Sequence, residues 1–307
     1  MKHKKQLILL AGPTASGKSK LAIKLAQHLD GEIINADSMQ IYKEISILTS
    51  KPKLRDKKIV KHHLYGFVSV RKKFSTGHWL KIVIKKIRQQ WKRGKIPIIV
   101  GGTGLYFKAL TDGLVEIPNI PSKTRFYVRK LHKEIGQKFF YNKLIDLDPL
   151  AKKFVLPTDP QRSMRAYEVK KFTKKSLFKF TKKTKLNFSS NSFKKLFINI
   201  PKDILHNNIE NKVEEMFNDG AVKEVKKFYK MKIDKELSSN KIIGLKEIKD
   251  YLDGKVSLIN TKTLIVQKTR QYAKRQFTWS RGHMKSWNKV YSANINDLFN
   301  KAINKIF

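Results

Sequence analysis

Leu7-Ile8-Leu9-Leu10-Ala11-Gly12-Pro13-Thr14-Ala15-Ser16-Gly17-Lys18-Ser19 is the stretch whose reading decides the fold. It opens on an unbroken apolar run, the pattern of a buried strand. From Gly12 it fits G-x-x-x-x-G-K-[ST]. Leu21, Ala22, Leu25, Ala26 and Leu29 then recur at helical spacing, and Gly31 stands where a helix would stop. Strand, glycine loop and helix in register are the context that a phosphate-binding loop (P-loop) requires. The glycines let the backbone curl so that several N–H groups point at one anion, and the helix N-terminus adds the positive end of a dipole. Lys18 supplies a cation and Ser19 a hydroxyl able to ligate Mg²⁺. The pattern assigns a diphosphate or triphosphate ligand to Gly12, Thr14, Ala15, Ser16, Gly17, Lys18 and Ser19. It admits nucleotide binding without selecting ATP.

Outward from this stretch, Glu32-Ile33-Ile34-Asn35-Ala36 reads as a second strand that delivers Asp37 at its carboxyl end. Residues 40–73 read as irregular and basic. Trp79, Val83, Ile87 and Trp91 mark one face of a helix closed by Gly94. Ile96-Pro97-Ile98-Ile99-Val100 is a buried-type strand ending in Gly101-Gly102-Thr103-Gly104. Alternating strands and helices predict a parallel sheet with helices on both faces. Ligands of such sheets bind at the carboxyl ends of strands. Asp37, Thr103 and the phosphate loop are therefore expected in one cleft. Asp37 admits three readings there: a Mg²⁺ ligand, a proton acceptor, or a turn cap. The glycines beside Thr103 are also what a tight turn alone would need.

After Gly113 the pattern changes. Pro118 and Pro121 bracket a turn, 122–175 read as mostly helical and lysine-rich, and 170–185 form a basic tract with interleaved phenylalanines. Leu196-Phe197-Ile198-Asn199-Ile200 reads as a strand returning to the sheet, followed by helical segments near 205–230, 241–252 and 258–276. The expected architecture is α/β: a P-loop NTPase-like parallel-sheet core with C-terminal helices, built from 1–113 and 194–307. A helical insertion domain at 114–193 interrupts it.

The chain has 307 residues, with 67 Lys+Arg against 24 Asp+Glu, a net charge of +43. A field of that sign attracts polyanions, nucleic acid first among them. Lys, Ile, Asn and Phe are abundant together, as an A+T-rich coding sequence produces, so part of the lysine content reads as surface filler. There is no cysteine, which excludes disulfides and cysteine-based zinc or redox sites. No apolar run is long enough to span a bilayer, and 7–11 is too short for a signal peptide. A soluble, cytoplasmic, monomeric protein without a membrane partner is expected.

Seven runs in order carry a more specific signal: GPTASGKS (12–19), ADSMQIY (36–42), Lys51-Pro52 with His62-His63-Leu64, VGGTGLYFKAL (100–110), DPQRSMRAYEV (159–169), IGLKE (243–247) with Tyr251-Leu252-x-Gly254, and TRQYAKRQFTWSR (269–281). Together they resemble the bacterial tRNA dimethylallyltransferases of the tRNA isopentenyltransferase family, over about residues 7–281. The resemblance implies transfer of a dimethylallyl group from dimethylallyl diphosphate to N6 of adenosine 37, beside the anticodon of tRNA. It implies Asp37 as proton acceptor and Thr103 as hydrogen-bond donor to the leaving oxygen. The loop amides, Lys18, Lys212 and Mg²⁺ at Ser19 would carry the diphosphate charge. For tRNA it implies Asp37, Ser38, Met39, Gln40 and Thr103 at the base. Arg125, Gln161, Arg162, Ser163, Met164 and Arg165 of the insertion would grip the RNA, with Arg270, Lys274, Arg275, Phe277 and Arg281 of the last run. Helical spacing puts Arg270, Lys274, Phe277 and Arg281 on one side, a phosphate-tracking stripe with an aromatic for stacking.

The chain also departs from the family pattern. Asn208 and Lys212 stand where relatives carry arginines, and a lysine cannot offer a bidentate fork. Leu48 replaces a glycine, and Tyr65-Gly66-Phe67-Val68-Ser69-Val70 replaces an acidic, proline-bearing stretch. Two rival readings stand beside the family one. A P-loop kinase of small metabolites leaves the TRQ–WSR run without a role. A noncatalytic RNA-binding protein leaves the phosphate loop idle.

Overall fold

A computed structural model describes residues 5–180, 184 and 186–307. The basic start at 1–4, and 181–183 and 185 of the basic tract, lie outside the described residues. The chain divides into two compact units, Met1–Thr111 with Asn187–Phe307, and Asp112–Leu186. The second junction falls several residues before the expected 193, because the segment leading into the returning strand belongs to the sheet unit.

The first unit begins β1 (Leu7–Ala11), α1 (Lys18–His28), β2 (Gly31–Asn35), α2 (Leu54–Ile59), β3 (His62–His63), α3 (Thr76–Lys92), β4 (Ile96–Gly101) and α4 (Gly104–Asp112). In the second unit come α5 (Ser122–Leu147), α6 (Pro160–Thr173) and α7 (Leu177–Phe180). The first unit resumes with β5 (Phe193–Ile198), α8 (Lys202–Asn218), α9 (Ala221–Lys230), α10 (Leu245–Leu252), α11 (Leu258–His283), β6 (Asn288–Val290) and α12 (Ile295–Ile306). The strand order is β3-β2-β4-β1-β5-β6, and every pairing is parallel.

That order positions the site. β4 lies between β1 and β2, with Ala11 opposite Gly101 and Asn35 opposite Val100. The chain therefore leaves three adjacent strands at nearly one level, carrying the phosphate loop, Thr103 and Asp37. Ile8, Leu10, Ile33, Ile98 and Val100 share one buried face with Leu21 and Leu25 of α1 and Leu298 and Ala302 of α12. The alternate residues Leu7, Leu9, Ile34 and Ile99 are fully buried on the opposite face. α3 packs against β4, its buried stripe being the Trp79, Val83 and Ile87 of the sequence pattern. A second cluster joins Ile41, Tyr42, Ile45 and Leu48 to Val213, Val225, Ile248 and Ile265 of α8–α11.

Four elements differ from expectation. Residues 40–73 include α2 and the short β3, which pairs with β2. The helical stretch near 205–230 breaks at Gly220, whose φ of 99° a glycine adopts freely. α11 continues to His283, and β6 and α12 follow it. In the second unit α5 is broken at Gly136 (φ 73°). There Gln137 donates to Pro157 O at 2.6 Å and to Ser163 Oγ at 3.1 Å, tying the break to the start of α6.

Candidate active site

The phosphate loop bends through left-handed backbone at Ala15 (φ 61°) and Gly17 (φ 83°). Such turns gather consecutive N–H groups into an anion-binding concavity. α1 starts at Lys18 with no acidic residue in its first turn. The Ser16 hydroxyl is buried without a hydrogen-bond partner. A buried orphan of this kind costs about 1–3 kcal/mol until something meets it. Lys18 Nζ donates to Pro13 O at 2.7 Å. Burial of its ammonium, then the charge of Lys212, push Lys18 down to about 8, and Asp37 acts in the opposite sense. Lys212 is lowered by burial too, with Asp37 and then Glu215 opposing. Both ammonium groups thus feel the charge of Asp37, and Lys212 feels that of Glu215 as well. Asn208 donates to Ala15 O at 3.1 Å, so it braces the loop backbone. A cavity of about 680 Å³ opens beside them, lined by Ser19, Lys51, Lys53, His62, Lys212 and Met216 among others.

Asp37 is fixed by its neighbour. The fully buried Asn35 accepts from Asp37 N at 2.8 Å and donates to Asp37 O at 2.9 Å and Leu64 O at 3.0 Å. Trp79 Nε1 donates to Asn35 O at 2.9 Å. Asp37 Oδ1 accepts from Met39 N at 2.8 Å, so the turn-capping reading holds for one carboxylate oxygen. Thr103 N donates to Ala36 O at 3.2 Å, and Thr103 Oγ1 accepts from Ser38 N at 2.9 Å and donates to Ser38 Oγ at 3.3 Å. The ends of β2 and β4 are thereby stitched together. The charge of Asp37 acts on three tyrosines. The phenols of Tyr65, Tyr106 and Tyr272 are each pushed up by burial and then by the negative charge of Asp37. Tyr106 stacks on Trp79 at 4.3 Å between ring centroids.

Gln40 is committed to its own loop, donating to Thr49 O at 2.8 Å and Ser50 O at 3.1 Å. In the second unit Gln161 and Arg162 are exposed, while Met164 and Arg165 are half-buried. Ser163 is fully buried, its hydroxyl donating to Asp159 O at 2.7 Å, so it holds the helix start instead of facing solvent. Arg165 lies 3.4 Å from Glu168. Arg125 Nε is buried without a partner. On α11, Lys274, Arg275 and Arg281 are exposed and Arg270 pairs with Glu210. Phe277 departs from the expected stripe. It packs on the sheet core with its ring 5.9 Å from Phe197, since it follows the buried Gln276 and lies one turn from the buried Ala273 and Ser280. Asn35, Trp79, Tyr272 and Gln276 have no expected role in the site from sequence. Gln276 accepts from Thr14 N at 2.9 Å, so that amide already has a partner within the protein.

The geometry of loop, carboxylate and threonine can be set beside known proteins. Residues 40–283 match the family model described as IPP transferase, and residues 5–64 match that described as isopentenyl transferase. The chain belongs to the IPP transferase family. Within this family it is 52% identical over 290 residues to the tRNA dimethylallyltransferase of Pelagibacter ubique (strain HTCC1062), covering 94% of this chain and 93% of the relative. It is 43% identical over 284 residues to that of Rickettsia bellii (strain OSU 85-389), covering 92% and 90%. The crystal structure of a full-length tRNA isopentenylpyrophosphate transferase from Bacillus halodurans matches with a TM-score of 0.70 at 29% identity, covering 99% and 97%. A eukaryotic dimethylallyltransferase, solved acting on tRNA, matches with a TM-score of 0.84 at 27% identity, covering 98% and 77%. These IPP transferase structures share the P-loop NTPase-like parallel sheet described above. Among the described residues no helix is long and apolar enough to cross a membrane, and no group of three His, Cys, Asp or Glu side chains could hold a metal ion.

Proposed function

We propose that this IPP transferase moves the dimethylallyl group of dimethylallyl diphosphate to N6 of adenosine 37 in the tRNA anticodon loop, releasing diphosphate. The observation that carries the reading is the convergence of the phosphate cradle, Asp37 and Thr103 on three adjacent strand ends. An adenine amine is a weak nucleophile because its lone pair is delocalised into the ring. The site has to align that amine, accept its proton and stabilise the departing diphosphate.

In the step, the N6 lone pair bonds to C1 of the allyl group as the C1–O bond breaks. The bonding pair leaves with diphosphate, and the N6 proton passes to Asp37. With Oδ1 held by Met39 N, the second carboxylate oxygen is the acceptor. The Thr103 hydroxyl, whose contact with Ser38 Oγ is a long 3.3 Å, turns to the bridging oxygen. Ser16, Lys18, Lys212 and the loop amides hold the diphosphate. Ser19, exposed at the start of α1, would offer its hydroxyl to Mg²⁺, which would neutralise leaving-group charge when bound. Reaching the N6 amine requires the enzyme to extract the base from its stack. One chain supplies cradle, carboxylate and hydroxyl, so a monomer suffices, acting in the cytoplasm where its tRNA is.

The test offers labelled dimethylallyl diphosphate with unmodified tRNA, and labelled ATP in a parallel reaction. Label from the allyl donor is expected on adenosine 37 alone. Label carried to a product from ATP, or allyl label on any other nucleotide, overturns the assignment.

A further inference from the structure

One side chain of α11 joins the two glycine-bearing loops of the site. Gln276 is 8% exposed. Its Oε1 accepts from Thr14 N at 2.9 Å and its Nε2 donates to Gly102 O at 3.0 Å. A carboxamide accepts with one atom and donates with another, so a single residue satisfies both loops. The packing is close: a Cβ on Gly102 would lie 2.0 Å from Gln276 Nε2. The β1–β4 ladder ends where Ala11 faces Gly101, and the chains beyond it are loops. Gln276 supplies the cross-link just past the end of that ladder, and α11 is itself anchored on α8 and α10.

We propose that Gln276 is a positioning residue for the transfer reaction, setting the phosphate loop and Thr103 in register so that diphosphate held by one meets the hydroxyl of the other. This rests on the assignment of the loop to diphosphate under Proposed function. Gln276 does not touch the reacting atoms. It fixes the separation of Thr14, two residues before Ser16, from Gly102, one residue before Thr103. A misplacement of about 1 Å at a reacting centre costs on the order of a hundredfold in rate.

Gln276→Met keeps the shape and removes both bonds. It is expected to lower kcat by roughly tenfold to a hundredfold and to raise the inhibition constant of inorganic diphosphate, with the tRNA dissociation constant held within about twofold. Gln276→Glu supplies a sharper reading. When protonated its carboxyl reproduces both bonds, and when ionised it faces the Gly102 carbonyl with like charge. Its kcat relative to the unaltered enzyme should rise as pH falls from about 8 to about 6, while the ratio for Gln276→Met stays flat. Gln276→Glu retains the acceptor for Thr14 N, so the pH ratio decides the matter even if Gln276→Met does not fold. Unchanged kcat and diphosphate inhibition in Gln276→Met, a flat ratio in Gln276→Glu, or loss of tRNA binding in proportion to kcat would each overturn the proposal. If inorganic diphosphate fails to compete with the allyl donor in the unaltered enzyme, the loop assignment falls first and this inference with it.

Discussion

At the residue scale the site is a balance of charges. Lys18, held near 8 by burial and by Lys212, is largely protonated at neutral pH. Its depressed value means that the ammonium is lost as pH rises through about 8 in the free enzyme. Donor binding needs the ammonium, so kcat/KM for dimethylallyl diphosphate should be level below that pH and fall about tenfold per unit above it. A pH profile of initial rates at low donor concentration checks this; a level profile to pH 10 (~2 units above) would remove Lys18 from the cradle. Asp37→Asn keeps the acceptor for Met39 N but cannot take a proton. It should lower kcat by about 10²–10⁴ while tRNA affinity persists, as single-turnover rates and filter binding would show. Equal loss of affinity would return Asp37 to a purely turn-capping role.

At the element scale, the wall of the cavity is a loop held from outside. The Glu224 carboxylate on α9 accepts from the backbone N–H groups of Ser46, Ile47 and Leu48, at 2.6–3.2 Å. Gln40 grips the far end of that loop at Thr49 and Ser50, and Lys51 Nζ donates to Tyr42 O at 2.7 Å. Ser46, Ile47, Ser50 and Lys51 line the cavity. Glu224→Ala removes an acceptor shared by three amides, so it should cost about 1–3 kcal/mol in denaturant unfolding. It should also raise donor KM more than tRNA KM; an effect confined to tRNA would detach the loop from the donor side. α11 is the other element with two duties. Its buried Ala273, Gln276 and Ser280 face the core and the glycine turn, while Lys274, Arg275 and Arg281 stay exposed. The close approach explains the turn: a Cβ on Gly104 would lie 2.0 Å from Trp279 Nε1.

At the scale of the whole molecule, +43 on 307 residues makes tRNA affinity steeply dependent on salt. Each phosphate contact removed should flatten the plot of log affinity against log salt by about 1. Arg165→Ala and Lys274→Ala are each expected to do so without altering donor KM, in titrations across a range of salt. Unchanged slopes would assign their charges to the solvated surface.

The local structure was legible in the chain. A glycine loop between an apolar strand and a helix works within thirteen consecutive residues, Leu7 to Ser19, so its meaning needs no tertiary information. That Asp37 and Thr103 leave the sheet at one level was legible because strand ends in a parallel sheet share one side, and the order of seven runs carried the family. What the sequence could not supply is which distant groups meet. Gln276 reaches Thr14 across 262 positions and Gly102 across 174. Trp79 reaches Asn35 across 44 positions, and Glu224 braces a loop about 180 residues away, through folding alone. Helical spacing misplaced Phe277 because periodicity defines stripes but not which neighbour covers their edge. Short-range covalent order fixes backbone turns and which side of a sheet a residue leaves from; the partners of a side chain are set by close packing among elements far apart in the chain.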